Sequence, residues 1–394
     1  MSGIVGFFNV KEKIMNSQEI LMNMNNKLMH RGSDKDGYYI GDNIALGFRT
    51  ILCGDNQPIS FNFEGNTYVI VYDGNIYNLK ELKLELEQYD FCFSTNSDAE
   101  VILKGCIHFR ESFVNKLNGV FAFAIFDKNQ NSLFIARDHF GIKPFYYTII
   151  NNTFVFASEI KALFQFPNVN PKMDSMGICE LIGIGPAHTP GVTVFKDIYE
   201  IKPAHYGIYS DGGFHSKSYW KLISKPHTDS LGKTCETIKY LLEDSIKKQL
   251  VSDLPVCSFL SGGLDSSIIS LYAANYYKVN DLKPLDTYSV DYVDNDKNFV
   301  KSDFQPNSDN YYIELMSKRL YSEHHNIVLD TPELADALEA AMIARDVPGM
   351  ADIDSSLLLF CKNVKPEASI ALTGECADEI FAGYPWFFRE DALS

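Results

Sequence analysis

A chain of 394 residues has room for two or three domains at roughly 150 residues each. Its 46% hydrophobic content can fill packed cores, and a formal net charge of -16 excludes nucleic acid as a main partner, because phosphate backbones need a basic face. There is no long apolar run or secretory leader, so no membrane partner is expected; scattered cysteines without a CxxC pair point to a reduced, cytoplasmic setting and away from zinc.

The first part of the chain mixes short β-type runs with turn signals. Strands are predicted at 4–9, 67–72, 121–127, 132–137, 145–150 and 153–157, the last three as a hairpin meander. Helices are predicted at 18–29, 79–88 and 99–109. This mixture predicts an α+β sandwich of antiparallel sheets over 1–209. Residues 210–232, with Gly, Ser, Pro and His, read as a linker. From 233 to 394 the pattern changes. Strands at 255–260, 286–291, 325–329 and 368–373 are separated by helices at 234–249, 268–277, 311–321, 331–344 and 355–362. Alternation of this kind predicts an α/β domain with a parallel sheet and helices on both faces.

The seven residues Ser261-Gly262-Gly263-Leu264-Asp265-Ser266-Ser267 lie between an apolar strand and a helix. Glycines let a backbone approach an oxyanion, and the free N–H groups of a first helical turn point at it. Hydroxyls of Ser261, Ser266 and Ser267 can donate further bonds. Asp265 would repel a bare phosphate, so a Mg²⁺ between the two is expected. The loop lacks the Gly-Lys-Ser/Thr ending of the common P-loop. In open α/β sheets ligands bind outside the carboxyl ends of strands. Two more strand ends qualify: Ser289-Val290-Asp291, whose backbone suits an adenine edge, and Thr373-Gly374-Glu375-Cys376-Ala377-Asp378-Glu379, rich in acids.

The Ser/Gly loop is similar to the pyrophosphate loop of the N-type ATP pyrophosphatases. Together with the run 242–255 and the stretch 372–384, it makes the second half resemble the glutamine-dependent asparagine synthetases. That resemblance implies Asp265 and Asp378 as Mg²⁺ ligands, and Leu260, Val290, Thr373 and Gly374 as ATP contacts beside the loop itself. It implies Glu375 in forming a β-aspartyl-adenylate and Glu379 in the acceptor site. The first half carries His30-Arg31-Gly32-Ser33-Asp34, Arg49, Asp73-Gly74-Asn75-Ile76-Tyr77-Asn78, Ser97-Asp98-Ala99-Glu100, 136–141 and 157–161 in order. These resemble successive motifs of the class II glutamine amidotransferases, which implies an Ntn-hydrolase-like fold. Position 2 would be the nucleophile, with its own α-amine as general base once Met1 is removed. Gly74 and the side chain at 73 would serve the oxyanion; Arg49 and Asp98 would hold the glutamine zwitterion, with Asn75 beside them.

The activity implied is ATP-dependent amidation of aspartate to asparagine, with glutamine or ammonia as nitrogen donor and a homodimer left open. Three departures bear on it. Ser2 stands where the family has cysteine, and an alcohol is the weaker nucleophile. Asp73 stands where it has asparagine, and a carboxylate cannot donate to an oxyanion. Asn75 stands where glutamate is usual. A weak or inactive glutaminase is therefore expected. Members also continue for roughly another 200 residues, in the range of one further domain, so either a fragment or a partner chain that supplies the rest is expected. After Asp346-Val347 the usual threonine and arginine are missing, leaving Arg345, Asp352 and Asp354 as substitutes near the acceptor. The rival readings are a β-lactam-synthetase-like adenylating ligase and a non-catalytic binder of nucleotide or glutamine.

Overall fold

The computed structural model describes residues 2–51, 56–252, 254–301 and 307–390. The chain divides into two units, Met1–Lys225 with Asp346–Gly349, and Pro226–Arg345 with Met350–Ser394.

The first unit is built on twelve strands: β1 (Ser2–Asn9), β2 (Lys35–Ile40), β3 (Ile44–Thr50), β4 (Ile59–Phe63), β5 (Asn66–Ile76), β6 (Gly119–Asp127), β7 (Ser132–Arg137), β8 (Tyr146–Ile150), β9 (Thr153–Ala157), β10 (Tyr199–Glu200), β11 (His205–Ser210) and β12 (Gly213–Ser218). They form two six-stranded sheets, ordered β10-β8-β9-β1-β3-β2 and β12-β11-β7-β6-β5-β4, with every pairing antiparallel. Strand β6 shows why the sheets stack. Its Ala122, Ala124 and Phe126 join Ile4, Leu46 and Phe48 between the sheets, while Phe121, Phe123 and Ile125 turn to the other face. There they meet helices Leu79–Glu87 and Asp98–Phe109 through Leu82, Val101 and Ile102. The outer face of the first sheet is covered by helix Ser17–Asn26 and the turn Ile160–Leu163, through Leu21, Met24 and Leu163 on Val5 and Phe7. The central strands β1, β3, β6 and β9 are thus buried on nearly their whole length, while the edge strands β2, β4 and β12 keep exposed positions.

The expected α+β sandwich is what forms, with two corrections. The stretch 132–157 is no single meander: β7 pairs in the second sheet, and the chain crosses to the first before the β8–β9 hairpin. The segment read as a linker from Ser210 opens with β12, which closes an edge of the second sheet.

The second unit holds β13 (Val256–Phe259), β14 (Leu285–Tyr292), β15 (Ser322–Leu329) and β16 (Ile370–Leu372), all parallel, in the order β15-β14-β13-β16. One face packs Val256, Leu285 and Leu372 against helices Leu231–Leu250 and Leu264–Val279 through Ile246, Leu250, Ala273 and Ala274. The other packs Cys257 and Tyr288 against Phe360 and Val364 of helix Ala351–Val364. The parallel sheet with helices on both faces is as expected. No helix among the described residues is long and apolar enough to cross a membrane.

Candidate functional sites

In the first unit, Ser2 lies opposite Thr50 in the β1–β3 ladder, with their hydroxyl oxygens 3.2 Å apart. Side chains alternate faces along a strand. Ser2 therefore faces the layer between the sheets, in step with Ile4 and Phe8, and Asp73 faces it in step with Val69 and Val71. Arg31 ties the two together. Its Nε donates to the Ser2 carbonyl at 2.9 Å, Nη2 to Asp73 Oδ2 at 3.1 Å, and Nη1 to Glu159 Oε1 at 3.1 Å. Lys143 Nζ lies 3.1 Å from Asp73 Oδ1. Asp73 is 1% exposed, so position 73 is a buried carboxylate gripped by two cations.

This refines the sequence argument. The charge of Asp73 is balanced on the spot; what the carboxylate still lacks is a hydrogen to donate. Burial pushes Glu159 up, but bonds from His30 and Lys161 and the Lys161 charge outweigh it, and its pKa stands at about 2. Lys143, which sequence reasoning missed, owes its place to Asp138. That buried carboxylate accepts from the backbone N–H of Phe121, Phe140, Ile142 and Lys143 at 2.9–3.3 Å and so folds the crossover from β7.

The structure does not bring every expected residue here. Arg49 pairs with Gly3, one residue out of step with Ser2 and Thr50, so its side chain is on the opposite face. There it donates to the Asn25 carbonyl at 2.8 Å and to Asn26 Oδ1 at 2.7 Å. Thr50 is the β3 residue on the face of Ser2. Asp98 starts helix Asp98–Phe109 and accepts from the Tyr72 hydroxyl at 2.7 Å and the Ile76 N–H at 2.8 Å. It buttresses the end of β5, where Gly74 is half-buried and Asn75 exposed.

In the second unit, the Ser/Gly loop joins β13 to helix Leu264–Val279, which starts four residues earlier than predicted. Gly262 has φ +82, and a Cβ there would meet the Asp309 carbonyl at 2.9 Å, so only glycine fits. Ser266 is buried; its hydroxyl accepts from the Ser261 N–H at 3.2 Å and lies 3.0 Å from Ser261 Oγ. Ser266 therefore shapes the loop rather than offering its hydroxyl to a ligand, while Ser267 donates its N–H to the Gly263 carbonyl as the helix begins. Gly374 approaches so closely that a Cβ would lie 3.0 Å from Asp265 Cβ and from Ser266 N. The end of β16 thus brings Thr373 and Gly374 against the Ser/Gly loop, as the sequence reading anticipated. The carboxylates of Asp265, Glu375 and Asp378 make no hydrogen bond or ion pair among the described residues. Glu379 accepts from the Tyr384 hydroxyl at 3.4 Å. Leu260 and Val290 line a cavity of about 300 Å³ at the ends of β13 and β14. Arg345 pairs with Asp354 at 2.7 Å.

The glutamine amidotransferase domain family matches residues 1–220, more than half of the chain, and the asparagine synthase family matches residues 237–394. The chain belongs to the glutamine amidotransferase family. The chain is 42% identical to asparagine synthetase (glutamine-hydrolysing) 3 of Bacillus subtilis, over 100% of the chain and 65% of that protein. It is 34% identical to asparagine synthetase (glutamine-hydrolysing) 1 of the same organism, over 98% of the chain and 59% of that protein. Asparagine synthetase B of Escherichia coli shares 28% identity over 99% of the chain and 66% of that protein. The chain therefore spans about two thirds or less of the length of these relatives.

Proposed function

We propose that the second unit activates aspartate with ATP and that its amidation gives asparagine. The observation that carries this reading is the convergence of two strand ends. The Ser/Gly loop presents a helix N-terminus, and Gly374 brings a second loop with three acids directly against it. Backbone N–H groups at the helix start suit the pyrophosphate end of ATP. The β-carboxylate of aspartate attacks the α-phosphorus, pyrophosphate leaves, ammonia attacks the acyl carbon, and AMP departs.

Asp265 and Asp378 would hold Mg²⁺. No group of three potential metal ligands occurs among the described residues. Two carboxylates without protein partners still suit Mg²⁺, which commonly binds through one or two carboxylates plus substrate phosphates. Bound there, it neutralises phosphate charge. Glu375 would steady the adenylate, and Glu379 would serve the acceptor. Scattered unpaired cysteines support a cytoplasmic setting. In the first unit, Ser2 and a residue 73 that cannot donate support a feeble glutaminase, so ammonia is the better nitrogen source. The same two residues favour a second reading, an adenylating ligase in which an internal amine closes on the activated carboxylate.

Exchange of labelled pyrophosphate into ATP separates these readings. Exchange that depends on aspartate supports the first. Exchange that ignores aspartate but needs another β-amino or carboxylic acid supports the second, and none with any acid leaves a binder. Calorimetry should show ATP–Mg²⁺ binding weakened about a hundredfold, or roughly 2.7 kcal/mol, by Asp265→Ala. Equal affinity in the variant would overturn the metal assignment.

A further inference from the structure

The cavity at the ends of β13 and β14 is lined by two aspartates with no role in the chemistry above, Asp291 and Asp309. Asp291 directly follows Val290 in β14, and both line the cavity with Leu260, Asn295 and Asn310. Its carboxylate is held rigidly. Oδ1 accepts from the Tyr292 N–H at 2.8 Å and from Asn295 Nδ2 at 2.7 Å, and Oδ2 accepts from Asn310 Nδ2 at 2.9 Å. A carboxylate has roughly four acceptor sites, so these three donors leave one on Oδ2. Among the described residues, none that lines the cavity is Lys, Arg or His. A fixed negative charge without a cation repels phosphate, so this end of the site takes an uncharged, hydrogen-bond-donating part of a ligand. Leu260, Val290 and Phe360 supply apolar wall for a flat ring.

We propose that Asp291 selects the nucleobase, accepting a hydrogen bond from the exocyclic 6-amino group of adenine. This rests on reading the cavity as part of the ATP site. A 6-oxo purine would aim a lone pair at the carboxylate and leave it unpaired, a mismatch far costlier than a missing apolar contact. Asn295 and Asn310 are positioning residues: by donating to the carboxylate they fix its direction and keep it from rotating to pair with the base differently.

The test is calorimetric titration of the chain with ATP, ITP and 2′-deoxy-ATP, each with Mg²⁺, for the parent, Asp291→Asn and Asn310→Ala. The parent should prefer ATP to ITP by about tenfold or more. Asp291→Asn can donate to a 6-oxo group, so its preference should vanish or invert. Asn310→Ala should lower the ratio about threefold through a less ordered carboxylate, and it gives a readout even if the first variant folds poorly. An ATP/ITP ratio unchanged in both variants overturns the proposal. So does a variant that erases discrimination between ATP and 2′-deoxy-ATP instead, which would put the carboxylate on the ribose. A parent that binds no ATP removes the ATP site itself, and the proposal with it; a parent that binds ATP and ITP alike removes only the role of Asp291.

Discussion

The two units treat charge in opposite ways. Around Ser2 the ionic groups are buried and already engaged with each other: Arg31 holds a carbonyl and two carboxylates, and Asp73 holds two cations. At the strand ends of the second unit, Asp265 and Asp378 stand in first helical turns and Glu375 in a turn, and none of the three carboxylates has an ion pair among the described residues. A network that satisfies itself has little left for a ligand, and breaking one member strands its partners in a low-dielectric layer. Acids left open instead invite a cation from outside. The contrast separates acids that help hold the fold in the first unit from acids left without protein partners in the second.

The sharpest way to break that contrast is to remove Arg31. Arg31→Met should destabilise the first unit by about 3–5 kcal/mol, because Asp73 and Glu159 each lose a buried partner. Thermal unfolding should show a large fall in one transition while ATP binding by the second unit persists. A loss within 1 kcal/mol, roughly the value of an exposed pair, would mean the network is dispensable.

Glutamate release offers the next largest effect. Ser2→Cys alone should recover little, because a donor to the oxyanion is still missing, and one such donor is worth about 2.7–4 kcal/mol. Ser2→Cys with Asp73→Asn should recover far more than either change, since the amide keeps an acceptor for one cation and gains a donor. The two act on one transition state, so their effects should not add. Full activity from Ser2→Cys alone would show that Arg31 and Lys143 make Asp73 harmless.

Acid should separate the units more gently. Burial raises Glu200, yet bonds and charge from His188 and Arg137 hold it at about 2, beside Glu159 at about 2. An unfolded glutamate takes up its proton near 4.5. Between those values the unfolded chain binds more protons than the folded one, so stability is present above about pH 5 and drains as pH falls towards 2. Calorimetric scans from pH 7 to pH 3 should lower first the transition that Arg31→Met also lowers. A transition that stays put would show that these glutamates are not coupled to folding of the first unit.

Much of this was legible in the sequence. The parallel sheet announced itself through alternating apolar runs and helices, and β13, β14 and β16 fall within or close to the predicted bounds. The Ser/Gly loop was legible because positive-φ glycine and a helix start leave a compositional trace. Strand β3 was missed because it is buried along its whole length, so no alternation marked it, and Gly47 interrupts its β-type residues. The false meander at 132–157 arose because turn signals tell where strands end but not which sheet they join. That Arg49 and Ser2 take opposite faces was not legible, because a motif names residues without saying which face they take. Lys143 carried no signal at all: its role exists only once β7 and β8 part to different sheets.

The crossover after β7 carries a consequence for how such a protein changes over time. One carboxylate, Asp138, gathers four backbone N–H groups and thereby decides where the ammonium of Lys143, five residues on, is delivered. While that delivery continues an acid at residue 73 is favoured, because the ammonium pairs with a carboxylate. Asparagine there would offer it only a neutral acceptor, at a cost to stability rather than as a bar to the glutaminase. The composition of the pocket is thus guarded by a loop that contributes no reacting atom to it.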